Sequence, residues 1–202
     1  MSIAVLVLKL AKEVPILENA DYIGVDAGTL VCLQQNIPMK YAVGDFDSVT
    51  QEEWAIIQKQ VPHIEKLNPI KDDSDSEHAL KEAVQQGYDT IYVYGALGGR
   101  IDHEIVNIRL AYRYPGKVYL VSDKNLLYVV EEGTYTFEKK QKEFLSFFTE
   151  EEACITLKGF SYDIEHRTIT HKDTYTVSNE VKEEQGTLIV EKGKVCIVHS
   201  HD

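Results

Sequence analysis

Two aspartates separated by one residue follow a short apolar segment of this sequence. Asp45 and Asp47 come after residues 41–43 and before a helical pattern, where a predicted strand gives way to a helix. In an extended backbone, side chains two residues apart point to the same side. Two carboxylates held that close together either raise a pKa or bind a cation. Ser48, with Gln51 three residues later, forms a capping-box pattern for that helix. The alternative is an ordinary turn in which the aspartates make only local hydrogen bonds.

A second acidic segment stands directly before another helical pattern. Ser74 is the predicted N-cap, with Glu77 at the capping-box position. Asp75 then lies in the first helical turn, where the helix dipole favours an anion. The run from residue 71 to residue 77 is more acidic than a cap requires, which is compatible with a cation site. Such a run is more often a solvated helix start, and taken alone it favours that interpretation over a metal site.

A third segment, residues 95–103, follows a predicted strand and differs from the acidic ones. The pair Gly98-Gly99 lets backbone N–H groups approach an anion, and the guanidinium of Arg100 can bind phosphate oxygens in a bidentate manner. The alternative is a tight turn, with Asp102 as the N-cap of the following helix. Magnesium takes oxygen ligands, usually from carboxylates and substrate phosphates. Together the three loops therefore predict a magnesium–nucleotide site for phosphoryl or pyrophosphoryl transfer, a reaction catalysed mainly by positioning and charge neutralisation.

The elements that must position these loops alternate between strand and helix. Apolar runs of strand length are followed by polar turns and then by helical patterns in the first part of the chain, which is typical of a mostly parallel sheet. Ligands bind at the carboxyl ends of such strands, so the three loops should converge there. From residues 122–125 onward, short strand patterns recur about every 8 to 12 residues, as in a β-sandwich. We predict an α/β, Rossmann-like N-terminal domain over residues 1–123 and an all-β C-terminal sandwich domain over residues 124–202.

Composition argues against several classes of protein, namely nucleic-acid-binding, membrane-spanning, disulfide-rich and cysteine-zinc proteins. The chain has 202 residues, with 21 Lys and Arg against 33 Asp and Glu, a formal net charge of −12 that argues against a nucleic-acid surface. No apolar run approaches the roughly 18 residues of a membrane span. Cys32, Cys154 and Cys196 are far apart and form no CxxC pair, so neither a disulfide framework nor a zinc site is indicated. We predict a cytoplasmic protein. Its scattered histidines are interpreted as surface or structural residues, namely His63, His78, His166, His171, His199 and His201.

Taken in order, the motifs resemble those of bacterial thiamine pyrophosphokinases. The resemblance covers most of the chain and depends on five motifs, which are Gly44-Asp45-Phe46-Asp47-Ser48, Lys71-Asp72-x-Ser74-Asp75-x-Glu77, Gly98-Gly99-Arg100-x-Asp102-His103 with Asn107, Lys158-Gly159-Phe160-x-Tyr162 and Val177-Ser178-Asn179-Glu180. Each motif is weak singly, but the ordered set is specific.

This resemblance implies a reaction and a set of site residues. The reaction is the transfer of the pyrophosphoryl group of ATP to the hydroxyl of thiamine, which gives thiamine diphosphate and AMP in a homodimer with active sites between subunits. By position, the catalytic residues are Asp45, Asp47, Asp75, Arg100 and Asp102, the first three of which would hold Mg²⁺. The further nucleotide or thiamine contacts that it implies are Asp26, Lys71, Asp72, Ser74, Gly98, Gly99, His103, Asn107, Ser178 and Asn179.

One segment departs from the family pattern. The family has a small Gly-rich turn after the first strand, whereas residues 8–12 contain no glycine. The sequence therefore leaves open any phosphate or adenine contact that this turn makes in the family. Two alternatives stay open from the residues alone. One is another magnesium-dependent transferase or hydrolase on the same scaffold, and the other is a non-catalytic nucleotide-sensing module.

Overall fold

The computed structural model describes residues 1–70 and 73–202. The predicted contacts Lys71 and Asp72 therefore lie outside the described residues. The chain divides into two compact units. The first unit comprises Met1–Leu110 and Lys117–Asp123, and the second comprises Ala111–Gly116 and Lys124–Asp202. Residues 111–116 thus belong to the second unit although they precede the predicted boundary after residue 123.

The part of the chain up to residue 123 alternates between strands and helices. Its elements are β1 (Ile3–Val7), β2 (Ala20–Val25), α1 (Gly28–Gln34), β3 (Met39–Gly44), α2 (Gln51–Gln60), β4 (Ile64–Lys66), α3 (Asp75–Gln85), β5 (Thr90–Tyr94), α4 (Ile101–Arg113) and β6 (Val118–Val121). The strands of the first unit lie in the order β4-β3-β2-β1-β5-β6, and every neighbouring pair is parallel. The predicted α/β architecture is confirmed.

The register of the sheet places the strand ends at one edge. Val7 at the end of β1 pairs with Gly24 in β2 and with Tyr94 at the end of β5. In the next pair, Val25 lies beside Val43. Parallel strands that end level with one another deliver their following loops to the same side. The loops after β2, β3 and β5 therefore open at a common edge of the sheet.

Helices cover both faces of this sheet because alternate strand residues point to opposite faces. In β3, Ala42 packs in one core cluster with Ile57 of α2. Its neighbour Tyr41 faces the other side, which α3 covers. In β4 the same alternation directs Ile64 to the α2 cluster and leaves Glu65 facing α3.

The second unit is a β-sandwich. Its strands are β7 (Asn125–Val130), β8 (Gly133–Glu138), β9 (Glu143–Phe148), β10 (Glu152–Lys158), β11 (Ile164–Thr170), β12 (Gln185–Lys192) and β13 (Val195–His201). They form two antiparallel layers, β7-β13-β9 and β11-β10-β12-β8. Phe147 and Ile197 of one layer pack with Ile155 and Leu188 of the other in one buried cluster. The predicted sandwich is confirmed.

Two local predictions were wrong, and one short strand was missed. The N-cap of α2 is Thr50 rather than Ser48, because the chain makes an additional turn before the helix begins, and Thr50 and Glu53 form the capping box. Asp102 lies in the first turn of α4 rather than at its N-cap position. The short strand β4 was not predicted, since three residues carry too little pattern. No helix among the described residues has the length and apolar character that a bilayer span requires.

Candidate active site

The loop after β3 brings Asp45 and Asp47 together by a turn. Phe46 between them adopts a left-handed backbone, with φ of 59°, and is buried with its ring 4.8 Å from that of Trp54. The extended backbone assumed for this segment was therefore wrong. The two carboxylates are nevertheless close, because the backbone N–H of Asp47 donates a hydrogen bond to Asp45 Oδ1 at 3.1 Å. The buried aromatic ring anchors the turn that carries both acids.

Asp26 joins this loop from the end of β2. Its backbone N–H donates to the carbonyl oxygen of Val43 at 2.8 Å, and a Cβ added to Gly44 would lie only 3.0 Å from the Asp26 Cα. Glycine at position 44 therefore permits the close approach of the two loops. Ser48, the residue expected to cap α2, instead donates its hydroxyl to Asp26 Oδ2 at 2.6 Å.

These contacts form a three-carboxylate cluster, hereafter the aspartate cluster. One oxygen each from Asp26, Asp45 and Asp47 lies within 4.8 Å of the other two. Asp26 Oδ1 is buried and has no hydrogen-bond partner among the described residues. The negative charge of Asp45 is the main cause that raises the pKa of Asp47, with smaller contributions from desolvation and from Asp26. Carboxylates that repel one another in this way favour a bound cation.

Asp75 approaches the same region from the start of α3. The predicted cap of this helix is confirmed, since the N–H of Glu77 donates to Ser74 Oγ at 3.2 Å. The charge of Asp75 also contributes to the raised pKa of Asp47. Asp75 is not, however, a member of the close cluster found among the described residues. The close set is Asp26 with Asp45 and Asp47, whereas the sequence had grouped Asp75 with those two.

In the loop before α4, residues 95–100 and hereafter the glycine loop, the backbone N–H donors of the glycine pair are occupied by a side chain of that helix. The N–H groups of Gly98 and Gly99 both donate to Glu104 Oε1, at 2.9 and 2.7 Å. They are the two donors that the sequence offered to a phosphate. Sequence reasoning did not identify Glu104, although an acidic residue in the first turn of a helix after a glycine pair is a signal for such a contact. A carboxylate thus already binds where an anion was predicted.

Arg100 is held in a similar way. Its Nε and Nη2 donate to the two oxygens of Asp102 at 3.1 and 2.5 Å, on an exposed surface. Hydrogen bonding to this guanidinium lowers the pKa of Asp102 to about 2. The side chain of His103 is exposed beside this pair. The guanidinium therefore pairs with a carboxylate that a phosphate group could replace.

Asn107 is a positioning residue. It is 5% exposed, and its Nδ2 donates to the carbonyl oxygen of Ala96 at 2.9 Å while its Oδ1 accepts from Ser76 Oγ at 3.5 Å. The amide joins the loop after β5 to the first turn of α3. These contacts hold the glycine loop and the Ser74–Asp75 segment together.

A cavity of about 410 Å³ lies beside the ends of β1, β5 and β6. Residues 10–13, which replace the expected Gly-rich turn, form part of its wall, and Lys12 pairs with Asp123 at its edge. A Cβ added to Gly95 would lie 2.4 Å from the backbone nitrogen of Ala11. Gly95 therefore permits a close contact between its own backbone and that of Ala11. The glycine at this contact belongs to the loop after β5, since the segment after β1 has none.

In the second unit the two remaining motifs meet. Asn179 Oδ1 accepts from the N–H of Tyr162 at 3.0 Å, and Asn179 Nδ2 donates to the Tyr162 carbonyl oxygen at 2.9 Å. Ser178 has a left-handed backbone, with φ of 52°, and its N–H donates to Ser146 Oγ at 3.0 Å. Asn179 is only 3% exposed, whereas Tyr162 is 68% exposed. The buried amide therefore fixes the loop that carries an exposed aromatic ring.

Comparisons with known proteins identify the same family for the N-terminal and the C-terminal parts of the chain. Residues 15–121 match a family model described as thiamin pyrophosphokinase, catalytic domain, and residues 134–195 match one described as thiamin pyrophosphokinase, vitamin B1 binding domain. Thiamine pyrophosphokinase of Bacillus subtilis strain 168 is 35% identical over 191 residues, which cover 92% of this chain and 89% of that protein.

Solved structures give the same result. The crystal structure of thiamine pyrophosphokinase from Bacillus subtilis has a TM-score of 0.90 and 32% identity, with both chains covered completely. The crystal structure of thiamin pyrophosphokinase from Geobacillus thermodenitrificans has a TM-score of 0.86 and 30% identity, covering 100% of this chain and 98% of that one. The similarity therefore extends over the full length of the described fold.

Proposed function

The chain belongs to the thiamine pyrophosphokinase family, and on that premise we propose that its aspartate cluster binds magnesium together with the triphosphate of ATP. The activity is that of the family, the transfer of pyrophosphate from ATP to thiamine. The products are thiamine diphosphate and AMP. The single observation that supports the proposed site is the meeting of Asp26, Asp45 and Asp47 at the edge where the parallel strands end.

The residues of the aspartate cluster suit magnesium. All the donors are carboxylate oxygens, which this hard ion prefers. Asp26 Oδ1 is a buried acceptor without a partner among the described residues, while Ser48 holds the other oxygen of Asp26 in place. When bound, the ion neutralises charge on the phosphates and on the leaving group. The cluster would hold it, and Asp75 adds negative charge from the start of α3.

The glycine loop and Arg100 would contact the phosphates of the nucleotide. Glu104 and Asp102 now occupy these donors as internal anions. Binding of a triphosphate would exchange one set of negative oxygens for another, so the donors are already positioned before substrate arrives. Ser74, Asp102, His103 and Asn107 would support the same side of the site, with Asn107 acting through the loop that it fixes.

The second unit would bind thiamine. Ser178 and Asn179 lie in the motif that joins the Tyr162 loop, and the exposed ring of Tyr162 offers an apolar surface for an aromatic substrate. We also propose a homodimer with active sites between subunits, which size measurement over a dilution series would test. A cytoplasmic location would be consistent with the use of ATP as a co-substrate.

The activity assay separates the candidate functions. Purified protein is incubated with magnesium, ATP and thiamine, and the nucleotide products are resolved by chromatography. We expect AMP and thiamine diphosphate in equal amounts, with neither formed when thiamine is omitted. Production of ADP, or release of phosphate without thiamine, would favour another transferase or a hydrolase. Binding of ATP without turnover would favour a sensing module.

A further inference from the structure

A second group of potential metal ligands lies on the face of the sheet that α3 covers. Glu65 projects from β4, and His78 and Glu82 lie one helical turn apart on α3. One ligand atom of each lies within 4.8 Å of the other two, and His78 Nε2 is 3.2 Å from Glu65 Oε1. Residues four apart share one face of a helix. The two helical ligands therefore face the strand ligand together.

A buried tyrosine is directed toward this group. Tyr41 is 5% exposed, and its hydroxyl has no hydrogen-bond partner of good geometry among the described residues. The charged neighbours of this hydroxyl are Glu82 and Glu65. Glu82 Oε2 is likewise buried without a partner. Two neighbouring buried oxygens thus lack a hydrogen bond of good geometry, which buried polar groups normally make.

The charges of Glu65, His78 and Glu82 do not balance one another. Gln86 donates to Glu82 Oε1 at 2.8 Å, but only one imidazole is available to offset two carboxylates. A bound cation would relieve the repulsion between the two carboxylates. It would also give the buried Tyr41 hydroxyl and Glu82 Oε2 a common partner.

We propose that Glu65, His78 and Glu82 form a zinc site, with the Tyr41 hydroxyl as a further oxygen donor. An imidazole nitrogen together with carboxylate oxygens is a ligand set that suits zinc. Magnesium prefers all-oxygen ligands, so it should select the aspartate cluster instead. The ion would join β4 to α3, the helix whose first residue is Asp75. The proposal does not depend on the function proposed above.

Metal binding tests this site directly. Metal-free protein is equilibrated with zinc in the presence of excess magnesium, and retained zinc is measured by elemental analysis. We expect about one zinc per chain, and an absorption spectrum of tetrahedral cobalt when Co²⁺ replaces zinc. Zinc should also raise the melting temperature of the wild type by mass action.

Variants locate the binding. His78→Asn and Glu82→Gln should each weaken zinc binding by at least about tenfold, since removal of a ligand exceeds the effect of removing its supporting partner. His166→Asn is the matched control, because His166 also pairs with a glutamate, Glu191 at 2.7 Å, but belongs to no such group of three among the described residues.

Several outcomes would overturn the proposal. They are no retained zinc in the wild type, complete displacement of zinc by magnesium, or equal zinc content in the wild type and both α3 variants. Circular dichroism establishes whether each variant is folded. If an α3 variant fails to fold, Glu65→Gln removes one proposed ligand from β4 instead. The cobalt spectrum is measured on the wild type and does not depend on any variant.

Discussion

Replacing Asp26 with asparagine should have opposite effects on stability and on cation binding. Asp26 has a left-handed backbone, with φ of 49°, a conformation that asparagine adopts more readily than most residues. The carbonyl oxygen of the new amide can still accept the hydrogen bond from Ser48. The substitution therefore removes one charge from the aspartate cluster and keeps its geometry.

The size of the effect follows from the distances in the cluster. Its ligand oxygens lie within 4.8 Å of one another, and two unit charges at that separation in water repel by about 1 kcal/mol. Asp26 takes part in two of the three pairs, so its replacement should relieve about 2 kcal/mol of repulsion at low ionic strength. At a slope of about 2–4 °C per kcal/mol, the melting temperature of the cation-free protein should rise by roughly 4–8 °C. Salt should reduce this gain.

Cation binding should change in the other direction. Loss of one of three carboxylates should weaken magnesium binding by more than about tenfold, the lower end of the effect of losing a supporting partner. Thermal unfolding by circular dichroism in EDTA and low salt measures the first effect, and a magnesium titration followed by calorimetry measures the second. Glu18→Gln is the control, because it makes the same change in net charge at an exposed position of the first unit.

One pair of results would refute the reasoning. If Asp26→Asn were no more stable than the wild type without cations, and if its magnesium titration were unchanged, the three carboxylates would not act as a charged cluster. A rise in stability equal to that of Glu18→Gln would indicate a general charge effect. The specific prediction is that Asp26→Asn is more stable than the wild type without magnesium and loses this advantage when magnesium binds and stabilises the wild type. The difference between Glu18→Gln and the wild type should not change with magnesium.

Two further predictions concern the same loop. Thr50→Ala should lower the free energy of unfolding by about 1 kcal/mol because it removes the N-cap of α2. Ser48→Ala lies outside the cap and should leave the N-terminus of α2 intact. Urea denaturation and amide hydrogen exchange at Glu53 measure both effects, and equal exchange in the two variants would contradict the assignment of the cap. Asp45→Asn should lower the pKa of Asp47 toward its ordinary value, since Asp45 is the main cause that raises it. A raised acid pKa gives stability that is present below the unfolded pKa and lost as pH rises through the folded pKa, so this loss should shrink in Asp45→Asn; carboxyl carbon NMR titration checks it, and an unchanged Asp47 pKa would contradict it.

Features that depend on neighbouring residues could be predicted from the sequence. The alternation of strands and helices, the change to short β strands after residue 123, and the cap made by Ser74 on α3 were all predicted and are observed. Each depends on side-chain periodicity or on one helical turn. The family motifs added the reaction, because their order along the chain is specific although each motif alone is weak.

Where a local rule failed, a buried contact was the cause. An extended backbone at Phe46 was the natural prediction for residues that follow a strand, but the residue has a left-handed backbone and its ring is buried against Trp54. The N-cap of α2 is correspondingly Thr50 rather than Ser48. The two carboxylates beside Phe46 still meet, for a reason that the sequence did not reveal.

The chain alone determined which chemical groups are available and roughly where each follows a strand, because propensity, capping and periodicity are short-range properties. Tertiary structure decided which groups share a site. Asp26 reaches Asp45 because β2 and β3 are adjacent and Gly44 lacks a Cβ, and His78 meets Glu65 because α3 crosses the face of the sheet to which β4 directs that residue. Such pairings depend on strand order and packing over long separations in sequence, which no local pattern encodes.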